Sequence, residues 1–121
     1  MTTIDDLNQQ YGFSRSCAKP ASQIFEIAEA ATVAHLTPGR FNGRPPVHGI
    51  EDMGSSRYYR IQSKGLGGQI VLGLALEVAE AADVNTVTFS VSSAILNGGK
   101  LIGDTHRRLE RFSSDISSKL S

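Results

Sequence analysis

The chain has 121 residues, and its 12 basic and 12 acidic side chains cancel to a formal net charge of zero. This length suits one domain over residues 1–121, with about two thirds of the unfolded surface buried around a single core. The balanced charge argues against a surface that is basic throughout, which general binding to nucleic acid or anionic lipid requires. We therefore expect no nucleic-acid partner.

The cysteine content and the hydropathy of the sequence indicate the cellular compartment of the protein. Cys17 is the single cysteine, which excludes an intrachain disulfide and a multi-cysteine metal site and is typical of a reducing environment. The first residues carry neither the positive charge nor the apolar run of a secretory signal, and no run of 18 apolar residues predicts a membrane span. The sequence predicts a cytoplasmic protein in which Cys17 is a small apolar residue at a strand end, not a nucleophile.

The N-terminal part of the chain predicts one strand and one helix. Residues 1–10 are polar and predict a frayed start or a short helical turn. Side chains alternate over residues 11–18, which indicates a strand at or near a sheet edge. Pro20 suits a first helical position, and the apolar stripe that follows it predicts a helix over residues 20–34.

Residues 35–57 form the loop region, with three of the four prolines and four of the twelve glycines. A loop this long is usually functional, disordered or interrupted by a short strand, for which residues 47–50 are the candidate. Arg40 and Arg44 follow glycines there, and mobile backbone with planar guanidinium groups suits phosphate or carboxylate. They are the candidate anion-binding residues, although an ordinary surface loop is the leading interpretation.

Neither metal nor cofactor chemistry has a recognisable motif. His35 and His48 lack the third ligand that a closed or catalytic metal site needs, so we predict no metal site. The glycine-rich residues 64–68 have no Gly-Lys-Ser/Thr ending and form no dinucleotide-binding fingerprint between a strand and a helix. We interpret them as a turn and expect no cofactor.

Three consecutive strands are predicted between residues 58 and 96. Residues 58–63 are rich in aromatic side chains, and the turn after them leads into a central strand at residues 67–78. Five branched side chains share one face of that strand: Ile70, Leu72, Leu74, Leu76 and Val78. Residues 84–96 alternate between an apolar and a hydroxyl face, which indicates a half-exposed antiparallel strand. The hydroxyl face carries Thr86, Thr88, Ser90 and Ser92.

The C-terminal segment predicts a long amphipathic helix. Residues 97–100 break the preceding strand, and Asp104 or Thr105 can cap a helix that runs to about residue 120. Its apolar stripe, which must lie on the sheet, consists of Leu109, Phe112, Ile116 and Leu120. Its opposite face is basic, and we interpret it as a solvated surface with two local ion pairs, Arg107–Glu110 and Arg111–Asp115.

Together these elements predict an α+β fold: an antiparallel sheet of four to six strands packed against an N-terminal helix and a long C-terminal amphipathic helix. The segment FSRSCAKPASQIF at residues 13–25, a strand that runs through a proline into a helix, resembles the start of the START-like superfamily. The resemblance extends to the last strand and helix at residues 86–120, about half of the chain in all. This superfamily has the helix-grip fold and includes polyketide cyclases and lipid-transfer proteins. A smaller α+β sheet that pairs across a dimer is the alternative.

The resemblance implies a pocket between the sheet and the C-terminal helix, closed by residues 35–57, that binds a small apolar or amphipathic ligand. The residues expected to line either this pocket or the core are Phe25, Tyr59, Leu74, Phe89 and Phe112. The second hypothesis is a protein-interaction module or homodimer without ligand, in which another chain covers the hydroxyl face or an edge strand. An enzyme ranks third, because no serine, histidine and carboxylate occur in an order with spacing support. A histidine in a cleft beside Tyr59 or a carboxylate is the observation that favours an enzyme.

Overall fold

The computed structural model describes residues 3–36, 47–52, 54–64, 70–94, 96–97, 100–101 and 105–120. The helices are α1 (Ile4–Tyr11), α2 (Ala21–Ala31) and α3 (Thr105–Lys119), and a π-helix (Thr32–Leu36) continues α2. The strands are β1 (Phe13–Cys17), β2 (Val47–Asp52), β3 (Ser56–Lys64), β4 (Ile70–Ala79), β5 (Asn85–Ala94), β6 (Leu96–Asn97) and β7 (Lys100–Leu101). None of the described helices is both long and apolar enough to cross a membrane.

Five of these strands form one antiparallel sheet in the order β1-β5-β4-β3-β2, and β6 pairs with β7 in a separate two-stranded ladder. The strands β2 to β5 follow one another as a meander, whereas β1 lies beside β5, distant from it in the sequence. The predicted α+β fold with an antiparallel sheet of four to six strands is therefore confirmed. The strand predicted at residues 47–50 is present as well, and it extends to Asp52.

One face of the sheet carries the core. The inward side chains of β4 have no exposed surface from Leu72 to Val78, which confirms the predicted alternation. Fully burying a leucine or valine contributes about 1.5–3 kcal/mol, so this strand is a main source of stability. The helix α3 lies on the same face, where the rings of Phe112 and Phe89 of β5 have centroids 5.6 Å apart. The helix α2 packs beside α3 and completes the helical layer.

The N-terminal segment differs from its prediction. Of the two predicted alternatives, a frayed start and a short helical turn, the helical one is nearer, because Ile4–Tyr11 form the helix α1, and β1 begins at Phe13 and not at residue 11. Thr3 starts the helix with a capping box: its hydroxyl accepts from the Asp6 N–H, and the Asp6 carboxylate accepts from the Thr3 N–H. Leu7 and Tyr11 lie one turn apart and are buried, so packing holds a helix that is too short to persist alone.

The helix predicted at residues 20–34 differs at both ends. Pro20 is the N-cap with extended backbone, so the helix begins one residue later, at Ala21. After α2 the chain widens into the π-helix, and the Thr32 hydroxyl donates to the Ala28 carbonyl at 2.8 Å. A π-helix is rare and occurs frequently at functional sites, which directs attention to the residues that it carries.

Candidate functional site

The helix α3 separates two clefts on the described surface. Its inward stripe is at most 2% exposed, as predicted, and consists of Leu109, Phe112, Ile116 and Leu120. Its outward ridge consists of three exposed residues spaced four apart, Glu110, Ser114 and Ser118. One cleft lies between this ridge and the π-helix, and the other lies between the ridge and the first elements of the chain, α1 and β1.

The cleft between the π-helix and α3, here called the His35 cleft, has a volume of about 720 Å³. Its lining residues are Ala34, His35, Arg107, Glu110, Arg111, Ser114, Asp115 and Ser118. The π-helix supplies the first two and α3 the other six, so the packing of these two helices creates the cleft. Volumes between about 300 and 1,000 Å³ are typical of small-molecule sites, most of which are lined chiefly by apolar side chains. This cleft is open to solvent, and seven of its eight lining residues are polar or charged.

His35 and Asp115 join the two walls of the His35 cleft. The Asp115 carboxylate accepts a hydrogen bond from His35 Nε2 at 3.0 Å, and its other oxygen lies 3.2 Å from Lys119 Nζ, one turn along α3. The side chains of His35 and Asp115 are 24% and 22% exposed, so water screens the contact only in part. Burial raises the pKa of the Asp115 carboxyl, but hydrogen bonds and positive charge from Lys119 and His35 outweigh it and bring the pKa below its ordinary value of 3.8.

Arg107 and Arg111 line the same cleft one helical turn apart, and both are exposed. The predicted ion pairs Arg107–Glu110 and Arg111–Asp115 are absent from the described part of the chain. Asp115 is instead engaged through both oxygens by His35 and Lys119, and an exposed pair such as Arg107–Glu110 gains too little to hold two long side chains together. Two guanidinium groups therefore line the cleft without an acidic partner among the described residues.

The cleft on the other flank of α3, here called the Tyr11 cleft, has a volume of about 620 Å³. Its lining residues are Gln10, Tyr11, Gly12, Phe13, Arg15, Glu110, Ser113, Ser114, Ser117 and Ser118. The Tyr11 hydroxyl lies 2.8 Å from His106 Nε2, and the Tyr11 carbonyl accepts from the Ser113 hydroxyl at 2.7 Å. Arg15 donates to the carbonyl and hydroxyl oxygens of Ser117 at 2.7 and 2.9 Å. These contacts fasten α3 to α1 and β1, so we interpret the Tyr11 cleft as structural.

The residues predicted to line a ligand pocket or the core are all buried, at most 5% exposed: Phe25, Tyr59, Leu74, Phe89 and Phe112. They belong to one contiguous cluster of core side chains. The rings of Phe25 and Tyr59 have centroids 5.8 Å apart. Burial, and to a smaller extent the charge of Glu29, raises the pKa of Tyr59 to about 12. In the described structure these five residues form the core, and a pocket lined by them stays a prediction.

The other predicted site residues lie largely outside the described part of the chain. Arg40 and Arg44, the candidate anion-binding residues, are outside the described residues, and so is the side chain of His48. Within the described residues, no group of three or more His, Cys, Asp or Glu side chains could hold a metal ion.

The pairing of His35 with Asp115 is the functional feature that sequence reasoning missed. Sequence pattern assigns His35 no metal site and makes Asp115 the partner of a neighbouring arginine, whereas the fold joins His35 and Asp115 across 80 positions. A histidine beside a carboxylate in a cleft is also the observation that favours an enzyme. Lys119 also pairs with this carboxylate, so Asp115 is shared by His35 and Lys119.

Comparison with known proteins gives no match: no protein-family model matches the chain, and no curated protein matches its sequence. The function is therefore inferred from the His35 cleft and the fold.

Proposed function

We propose that this protein binds a small amphipathic ligand in the His35 cleft. The observation that carries the proposal is a volume of about 720 Å³ between the π-helix and α3, lined by polar side chains from both. Sites for small molecules combine such a volume with a few convergent polar groups. These groups can orient one end of the ligand, while Ala34 and the methylene stems of Arg107 and Arg111 offer apolar surface to the rest.

The fold supports the same proposal. Strand, helix, meander and final helix follow one another as in the helix-grip superfamily that the sequence resembles, and we propose that the chain is a small relative of it. Because Phe89 and Phe112 fill the interface between the sheet and α3, the proposed ligand lies on the flank of α3 and not beneath it. The buried free thiol of Cys17 suits a reducing compartment, and we propose the cytoplasm.

A homodimer through the outer face of the sheet is the alternative function. That face carries hydroxyl side chains, and the Ser14 and Thr88 oxygens are 3.2 Å apart across β1 and β5. Antiparallel sheets commonly leave one such polar face in water. Since these hydroxyl groups bind one another and are compatible with hydration, we favour the ligand cleft over a dimer interface.

Two-dimensional NMR with a simple amphipathic probe, sodium octanoate, tests the ligand cleft. We expect backbone amide shifts to change near His35 and along the outward ridge of α3. Ala34→Trp, which fills the His35 cleft from the π-helix and does not line the Tyr11 cleft, should abolish these changes. Thr86→Trp places the same side chain at an exposed position of β5 and is the matched control. Shifts confined to core residues around Leu74 would contradict the cleft and support a pocket beneath α3.

A further inference from the structure

We infer that the His35 cleft selects ligands with an anionic head group, a carboxylate or a phosphate, and that Arg107 and Arg111 recognise it. The inference rests on the proposed function, because it names the chemistry of a ligand at the same site. It goes further in assigning the recognition to two residues and in excluding neutral amphipaths of the same length.

The charges around the cleft leave an excess of positive charge. The Asp115 carboxylate lines the cleft and pairs with His35 and Lys119, and the charge of Lys119, which is not a lining residue, offsets it. Glu110 also lines the cleft, but it stands on the exposed ridge of α3 and is shared with the Tyr11 cleft. The lining therefore carries two arginines and two carboxylates, and Lys119 beside Asp115 leaves an excess of one positive charge, which favours anions.

The spacing of the two arginines suits an oxyanion. Residues four apart on a helix have Cβ atoms about 5–6 Å apart, so the guanidinium groups of Arg107 and Arg111 can reach one head group. A guanidinium is planar and always charged, and it binds carboxylate or phosphate through two parallel N–H···O bonds. A lysine offers a point charge without this geometry.

His35 fixes the opposite wall of the cleft. His35 uses Nε2 for Asp115, and among the described residues its Nδ1 has no hydrogen-bond partner. The contact with Asp115 holds the imidazole ring in place, and because Nδ1 of a neutral ring is then an acceptor, His35 shapes the cleft while the arginines bind the anionic head group. Ser114 adds a hydroxyl group on the ridge of α3.

The Tyr11 cleft provides an internal comparison. It is similar in volume and also contains an arginine, Arg15, but that guanidinium donates to two oxygen atoms of Ser117. Its hydrogen-bonding capacity is therefore partly used within the protein. The His35 cleft differs because both of its arginines lack an acidic partner in the described part of the chain.

Isothermal titration calorimetry with sodium octanoate, 1-octanol and inorganic phosphate tests the inference. Octanoate and octanol share an alkyl chain and differ in the charge of the head group. We expect octanoate to bind at least about tenfold more tightly than octanol, because hydrogen bonds to charged groups are the stronger ones. Arg107→Gln and Arg111→Gln should each reduce this difference, and the double variant should remove it. Lysine at both positions should retain part of the preference for octanoate, since the positive charge remains whereas the paired N–H donors of the guanidinium group are lost.

Arg60→Gln is the matched control, because Arg60 is an exposed arginine on β3 and does not line the cleft. It removes one positive charge and should leave octanoate binding unchanged. Circular dichroism of each variant verifies that the fold is retained, which exposed arginines should allow.

The outcomes separate the inference from the proposed function. Equal affinity for octanoate and octanol, unaffected by the arginine substitutions, would overturn the anion inference and leave the ligand cleft in place. Binding of none of the three probes would overturn both. Phosphate binding that depends on Arg107 and Arg111 would support the inference with a phosphate head group, and octanoate binding without phosphate binding would support it with a carboxylate.

Discussion

The side chain of Asn8 in α1 pairs with both backbone groups of Val91 in β5. Its Oδ1 accepts from the Val91 N–H at 2.7 Å, and its Nδ2 donates to the Val91 carbonyl at 3.0 Å. The pairing of β1 with β5 covers only Asn85 to Phe89, and Phe89 pairs with the first residue of β1, Phe13. Beyond that point Asn8 takes the place of a strand partner for Val91. The helix α1 thereby closes part of a sheet edge.

Removing this amide should destabilise the protein. Asn8→Ala leaves the Val91 N–H and carbonyl without their side-chain partners in a partly buried place, and we expect the free energy of unfolding to fall by about 1–3 kcal/mol. Urea denaturation followed by circular dichroism measures the change. Gln9→Ala, at the exposed neighbouring position, is the control and should stay within about 0.5 kcal/mol of the wild type. Equal effects of the two substitutions would show that Asn8 does not act as an edge partner.

Gly12 connects α1 to β1 where a side chain has no room. A Cβ atom there would lie 2.6 Å from the Asn8 carbonyl oxygen and 3.1 Å from the Phe89 carbonyl oxygen. Because both are backbone atoms, Gly12→Ala must shift α1 against the sheet, and we expect a loss of about 1–3 kcal/mol in the free energy of unfolding. Thermal unfolding of Gly12→Ala and of Ser14→Ala, an exposed control on β1, measures the difference. A Gly12→Ala protein as stable as this control would contradict the close approach.

The lowered pKa of Asp115 predicts a loss of stability in acid. A carboxyl group whose pKa is lower in the folded state adds stability above its unfolded pKa, and that stability is lost as the pH falls through the folded pKa. The wild type should therefore lose more stability than Asp115→Asn between about pH 5 and pH 2. The difference should be at most about 1 kcal/mol, because the ion pairs are partly exposed. Denaturant titrations across this range test it, with the exposed Asp83→Asn as control, and parallel profiles for all three proteins would refute it.

The raised pKa of Tyr59 predicts a loss of stability in alkali. The fold favours the neutral phenol, so this contribution is fully present below the ordinary pKa of 10.0 and is lost as the pH rises toward a pKa of about 12. Within that window the wild type should lose up to roughly 1.4 kcal/mol per pH unit more than Tyr59→Phe. Guanidinium denaturation between about pH 9 and pH 12 measures the slopes. Tyr58→Phe, whose ring lies near the Arg60 guanidinium, is the control, and identical slopes in wild type and Tyr59→Phe would disprove the assignment.

Local periodicity is sufficient to predict the layers of this fold. The alternation from Leu72 to Val78 and the stripe from Leu109 to Leu120 depend on near neighbours in the chain, and both are buried as predicted. The helix α1 is different. Its capping box at Thr3 is visible in the sequence, but eight residues form a stable helix only with the sheet to pack against.

The His35 cleft depends on contacts that no local pattern records. His35 and Asp115 are 80 positions apart, and only the packing of the π-helix against α3 brings them together. Local sequence pattern also fails to predict the partners of the arginines. Arg111 has an acid four residues ahead, which favours a local pair, yet the fold assigns that acid to His35 and Lys119.

The position of β1 also bears on how the chain folds. Phe13 pairs with Phe89, with the whole meander between them in the sequence, and closing such a long loop costs entropy before the contact stabilises anything. The strands β2 to β5 can assemble from near neighbours, so we expect β1 and α1 to dock late. Until they dock, the backbone N–H and C=O groups of β5 beside Val87 and Phe89 lack a strand partner. Such an open edge can form hydrogen bonds with a second chain. Docking of the N-terminal segment supplies these partners to β5, and the edge of the folded sheet becomes β1, a strand of only 5 residues.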